Sequence, residues 1–175
     1  MILQLGARGA SRRRSAGRAL YESAVRQARA PALYASLGAP DTVEGRFEVL
    51  TLHVILLIER LRGEGGAAQA SSQALFDTYV RDLDGALREM GVGDLSVGKR
   101  MRELGNAFYG RAAGYRKAFE ALPDQAPLQD LIGRTILQGA EEVRPTALAD
   151  YAARCRDALR RMTDVLADEP PWPAP

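Results

Sequence analysis

Apolar residues recur along this chain at intervals of three and four, the spacing of one helix face rather than of a strand. Leu20, Tyr21, Ala24, Val25 and Ala28 form the first stripe, set after Ser15 and Gly17 and stopped by Ala30-Pro31. A short helical turn through Leu33, Tyr34 and Leu37 follows, and Gly38 closes it. Pro40-Asp41-Thr42 then supplies a turn residue and two N-cap candidates for the next helix. That helix, Val43 to Arg62, opens at helical spacing with Val43 and Phe47 and becomes almost continuously apolar from Val49 to Leu61. A helix with so little polar surface is expected to be surrounded by others.

Beyond a glycine loop at 63–66, Leu75, Phe76, Tyr79, Val80, Leu83, Leu87 and Met90 mark a helix with one wide apolar face, and Gly91 is its natural stop. Val97, Met101, Leu104, Phe108, Ala112, Tyr115, Phe119 and Leu122 step by threes and fours, which predicts one helix of roughly 25 residues. Gly105, Gly110 and Gly114 each weaken that helix by about 1 kcal/mol relative to alanine, so at least one is expected where another helix crosses. Residues 123–127 read as a linker and Leu128 to Leu137 as a shorter helix. Pro145 is the expected first residue of the last helix, with Leu148, Tyr151, Cys155, Leu159, Met162 and Leu166 inward and Arg154, Asp157, Arg160, Arg161 and Asp164 in water. The stretch Glu169 to Pro175, prolines around Trp172, is expected to be extended or disordered. The expected fold is all-α: one compact domain of six to seven helices over 17–168, with a flexible basic arm at 1–16 and a Pro-rich tail at 169–175.

Composition narrows the class. A chain of 175 residues, 46% hydrophobic and 26% charged, has the proportions of one globular domain. The lone Cys155 excludes an internal disulfide and suits a reducing compartment, the cytoplasm first. Arg12-Arg13-Arg14 looks like part of a targeting signal, yet Glu22, Arg26 and Gln27 interrupt the apolar stretch such a signal needs. The most apolar run, Val49 to Ile58, includes Thr51 and His53 and has about half the length that spans a bilayer, so no transmembrane helix is expected. Charge is uneven. Residues 1–29 hold seven Arg against Glu22 alone, and Arg88 to Lys117 hold seven cations against Glu89, Asp94 and Glu103, between acidic flanks. A positive face of this kind suits a phosphate backbone or an anionic surface.

Candidate chemistry is sparse. Gly93 to Lys99 has the spacing of a phosphate-binding loop, but it follows a helix, Arg100 stands where a magnesium-binding Ser or Thr belongs, and no strand supplies a second acidic ligand. Capping by Asp94 or Ser96 accounts for the same segment. His53, the sole histidine, sits among apolar residues and is expected to be buried and bonded to a neighbouring helix. Cys155 falls on an apolar helix face, where a thiol is inert. No catalytic residue, metal site or cofactor is expected.

One set of motifs is more specific. Asp41-Thr42-Val43-Glu44-Gly45-Arg46-Phe47 leading into Leu52-His53, then Asp82-Leu83-Asp84, Leu87 to Asp94, Val97-Gly98-Lys99-Arg100-Met101, Ala107 to Arg111 and Tyr115 stand in order over about Tyr21 to Leu122. In that order they resemble the ubiquinol-cytochrome c chaperone family, and specifically a bacterial member. The resemblance implies an all-helical, non-enzymatic assembly factor that binds newly made cytochrome b of the cytochrome bc1 complex. It further implies the ribosome near its tunnel exit and a small protein as partners, and a cytoplasmic location with peripheral contact at the inner membrane. A peripheral membrane- or RNA/ribosome-binding helical module without a dedicated client is the alternative that charge alone supports. On this view Lys99, Arg100, Arg102, Phe108, Tyr109 and Arg111 are candidate client- or partner-binding residues. Arg46, Asp82, Asp84, Arg88, Glu89 and Asp94 are expected to form a polar network tying the long helices together.

Overall fold

Every residue from Thr51 to Leu57 is buried, His53 among them, because the helix that carries them has neighbours on all sides. In the computed structural model, which describes residues 2–138 and 143–175 with side chains from Arg14 onward, the chain forms seven helices. These are α1 (Ile2–Ala28), α2 (Pro31–Ala35), α3 (Val43–Leu61), α4 (Gly66–Glu89), α5 (Asp94–Glu120), α6 (Ala126–Thr135) and α7 (Thr146–Arg160). No strand occurs among the described residues. The central helix is α3, packed by α1, α4, α5 and α7.

Local chemistry sets where α3 begins. The Thr42 hydroxyl accepts from the Gly45 amide at 3.1 Å, the N-cap expected from sequence. Position 45 must be glycine, since a Cβ there would stand 2.1 Å from the Pro40 carbonyl oxygen. Thr51 donates to the Phe47 carbonyl at 2.7 Å and so accepts from Tyr79 of α4 at 2.8 Å, which ties α3 to α4 inside the core.

Helix α1 starts at Ile2, well before the start after Ser15 and Gly17 that the apolar stripe indicates. No proline interrupts residues 2–28, and Ala, Arg and Leu favour helix, so backbone propensity carries the element past the end of its apolar face. Its main partner is α4. A Cβ at Gly17 would lie 2.6 Å from the Ala74 Cβ and from the Ser71 carbonyl oxygen, so this crossing is made by small residues.

In α5, Gly114 meets Leu131 of α6, where a Cβ would be 3.3 Å from two methyl groups, whereas Gly105 and Gly110 face open space. Gly91, at φ +84°, ends α4 as expected. Pro145 is the N-cap of α7, one residue earlier than its expected place inside the helix. The tail is extended and returns to the core: Pro170 is buried, and the Trp172 indole donates to Ser23 Oγ at 3.0 Å. Gln27 donates to the Pro173 carbonyl at 3.1 Å and Arg154 to that of Ala174 at 3.2 Å.

Candidate functional site

The end of α1, α2 and the first turns of α3 face the hairpin of α4 and α5 across a groove of about 600 Å3. Val25, Phe47, Leu50, Leu83, Leu87 and Leu104 line it, with Val43 and Met90 at its mouth. Those two mouth residues are 59% and 61% exposed, so the apolar lining of the groove runs out to solvent. Val43 is there because it is the first residue past the Thr42 cap, and Met90 because it is the C-cap of α4.

Charged groups border the groove, and the chain answers most of them itself; Arg29 and Glu44, which also line it, have no ion partner among the described residues. Arg111 donates from Nε to Glu48 at 2.6 Å and from a terminal nitrogen to the other carboxylate oxygen. Only 4% of the Glu48 side chain and 20% of that of Arg111 are exposed. Arg46 pairs with Asp41 and lies 4.9 Å over the Tyr34 ring. Arg100 bonds Glu103 at 3.1 Å, and Asp82 accepts from the Tyr21 hydroxyl. Burial and that carboxylate raise the Tyr21 pKa well above the ordinary phenol value.

Of the six residues expected to form one polar network, three come together and three do not. Arg88 binds Asp84 at 2.7 Å and also Asp94, joining the end of α4 to the start of α5 at the surface. Asp82 goes to Tyr21, Arg46 to Asp41, and Glu89 is exposed without an ion partner among the described residues. Six positions separate Asp82 from Arg88, which turns them about 120° apart around α4. The candidate binding residues also divide. Lys99, Arg102 and Tyr109 lie exposed on the outer side of α5. Arg100 borders the groove, while Phe108 is buried against Phe76 and Tyr79 at ring separations of 5.0 and 5.4 Å. Arg111 is not the exposed cation expected, because Glu48 of the central helix claims it. Among the described residues Arg88, Arg100, Arg111 and Arg116 of the basic stretch are all in ion pairs, two of them with Glu48 and Glu59 from the acidic flank.

His53 donates from Nδ1 to the Val49 carbonyl at 2.7 Å, so its Nε2 accepts from Tyr151 of α7 at 2.8 Å. Burial lowers its pKa to about 4. Burial likewise pushes the Cys155 thiol up to about 12, leaving it protonated and unreactive. Gly93 caps α5 through its backbone alone, and Asp94, expected to cap, turns to Arg88. Among the described residues no cluster of three or more acidic, His or Cys side chains is placed to hold a metal ion, and no helix is long and apolar enough to cross a membrane.

The groove itself was not legible in the sequence, because its lining is divided among five helices, α1 to α5. A signal was present: segments 41–47, 82–94 and 97–111, which carry the family resemblance, are the ones that meet around it. The described residues thus present an open, mainly apolar groove, while the histidine and the cysteine are occupied in packing. The chain belongs to the ubiquinol-cytochrome C chaperone family, whose model matches residues 35–171. It is similar in structure to the Cbp3 homolog from Brucella abortus, at 39% identity and a TM-score of 0.82, over 94% of this chain and 91% of that one. No curated protein matches the chain.

Proposed function

We propose that the groove between α3 and the α4–α5 hairpin holds an apolar segment of newly made cytochrome b while the ubiquinol–cytochrome c reductase (bc1) complex of the respiratory chain assembles. The coarser role, that of a non-enzymatic chaperone in the assembly of this complex, follows from family membership. One observation carries the finer reading: the groove is lined mainly by apolar side chains, and three of the four arginines beside it, Arg46, Arg100 and Arg111, are already paired within the chain. An uncharged segment of a membrane protein loses no ion solvation on entering it, whereas a charged segment gives up its solvation against a mostly apolar wall. Three or four large apolar side chains contribute roughly 1.5–3 kcal/mol each before ordering costs are subtracted. The net affinity is modest, as suits a client that must be handed on.

This activity belongs on the cytoplasmic face of the inner membrane, where a membrane client meets a protein outside the bilayer. A module that binds membrane or RNA through charge draws support from Lys99, Arg102 and Lys117 of the basic stretch, exposed and without ion partners among the described residues. Three cations spread along one helix make a small electrostatic footprint, so this reading ranks second.

The test is purification of the tagged chain from its own host in mild detergent, with cytochrome b quantified against an untagged control. Enrichment that is lost in a folded Leu87→Glu variant supports the groove. Recovery of ribosomes or lipid in place of cytochrome b, with steep loss on adding salt, supports the second reading.

A further inference from the structure

One wall of the groove is anchored differently from the rest. Up to Tyr79, α4 is held by buried Ala68, Ser71, Leu75 and Tyr79, and none of its later residues is buried. Helix α5 is the mirror image. From Phe108 onward it buries five residues of its apolar face, whereas before Phe108 only Val97 is buried, and Val97 lies outside the core cluster. Between Asp82, bonded to Tyr21, and Arg111, bonded to Glu48, no hydrogen bond or ion pair among the described residues links the hairpin to α1, α2 or α3. At the tip Arg88 ties the two helices to each other through Asp84 and Asp94.

Each helix carries a glycine near the point where it leaves the core, Gly85 and Gly105. A Cβ at either position meets nothing within 4 Å, so close packing does not require glycine there. What glycine does at such a site is loosen the helix. On the outer side, an apolar crease of about 180 Å3 between Phe76, Val80, Met101 and Gly105 leaves room at the base of the hairpin.

We propose that the hairpin of residues 86–104 is a movable jaw, which bends at Gly85 and Gly105 and closes Leu87 and Leu104 onto the occupant of the groove. The identity of that occupant rests on the function proposed above; the motion does not. Closure completes an apolar enclosure only when a segment is present, so holding and release become two positions of one element.

Spin labels on Glu44→Cys and Glu89→Cys, both exposed, report the width across the mouth by electron–electron distance measurement, and buried Cys155 stays unlabelled. The free protein gives a broad distribution, which shortens and narrows with a Leu–Ala peptide carrying lysines only at its ends. Gly85→Ala with Gly105→Ala, whose side chains enter open space, narrows the free distribution, raises the unfolding midpoint and weakens peptide binding roughly tenfold. A free distribution as narrow as that of a label pair on exposed sites of the core, unmoved by the alanines, overturns the jaw. A broad distribution that the alanines narrow, with no peptide binding, keeps the jaw and overturns the apolar occupant.

Discussion

Arg111 of α5 grips both carboxylate oxygens of Glu48 on α3, so a cation of the basic stretch is held by an anion of the acidic flank inside the fold. With Arg111 removed, Glu48 is left almost wholly buried and unpaired, a situation that costs about 3–5 kcal/mol. Arg111→Ala therefore lowers the urea midpoint steeply, and Glu48→Gln with Arg111→Met lowers it much less. Equal midpoints for the wild type and Arg111→Ala would show that the pair is not holding α5 to α3.

His53 makes stability depend on acid. Its folded pKa is about 4, below the unfolded value of 6.5, so the unfolded chain binds the proton more readily. The contribution is fully present above pH 6.5 and is lost as pH falls toward 4, in all about 3 kcal/mol. Unfolding free energy measured from pH 7 to 4 falls through this window in the wild type. In His53→Gln the slope flattens, on a lower plateau; an identical slope would assign the acid sensitivity to other groups.

Trp172 is the only tryptophan, and it reports on the tail. Its indole bonds Ser23 and meets the His53 ring edge-on at 5.1 Å, covering the junction of α1, α3 and α7. Truncation after Asp168 removes this cover and costs about 2 kcal/mol, seen as a lower melting temperature. In the intact chain Trp172 emission shifts red only in the main unfolding transition. A red shift at low denaturant, ahead of the helical signal, would mean that the tail is not part of the cooperative unit.

Two glycines respond in opposite ways to added bulk. Gly17→Val forces α1 and α4 apart at a crossing where even a Cβ stands 2.6 Å from backbone, and destabilises by about 2 kcal/mol or more. Gly110→Ala fills open space on α5 and stabilises by roughly 0.5–1 kcal/mol. Thermal melts of the two variants separate the cases, and a neutral Gly17→Val would contradict the tight crossing.

Most of the fold was legible because helical period, proline and glycine act locally. Thr42 as a cap, Gly91 as a stop and His53 as a core residue bonded to α7 are all short-range readings that tertiary packing did not override. The start of α1 was misplaced because residues 2–16 keep helical propensity without an apolar face to reveal it. The partners of Asp82 and Arg111 were hidden for a different reason. Tyr21 and Glu48 lie 61 and 63 positions away, and nothing in a list of charges says which will meet. The groove shares that property: Val43 and Met90 read as ordinary members of apolar stripes until the start of α3 and the end of α4 meet at one groove.

A client held in the groove is distinguished from one held on the outer side of α5 by crosslinking from the two surfaces. A photo-crosslinking residue at Leu87, on the groove wall, and another at Tyr109, on the outer side, make this distinction when each full-length variant is expressed in its host during synthesis of cytochrome b. A client in the groove gives a cytochrome b adduct from Leu87 and little or none from Tyr109. An adduct from Tyr109 with none from Leu87 would place the client on the outer face and contradict the proposed function of the groove.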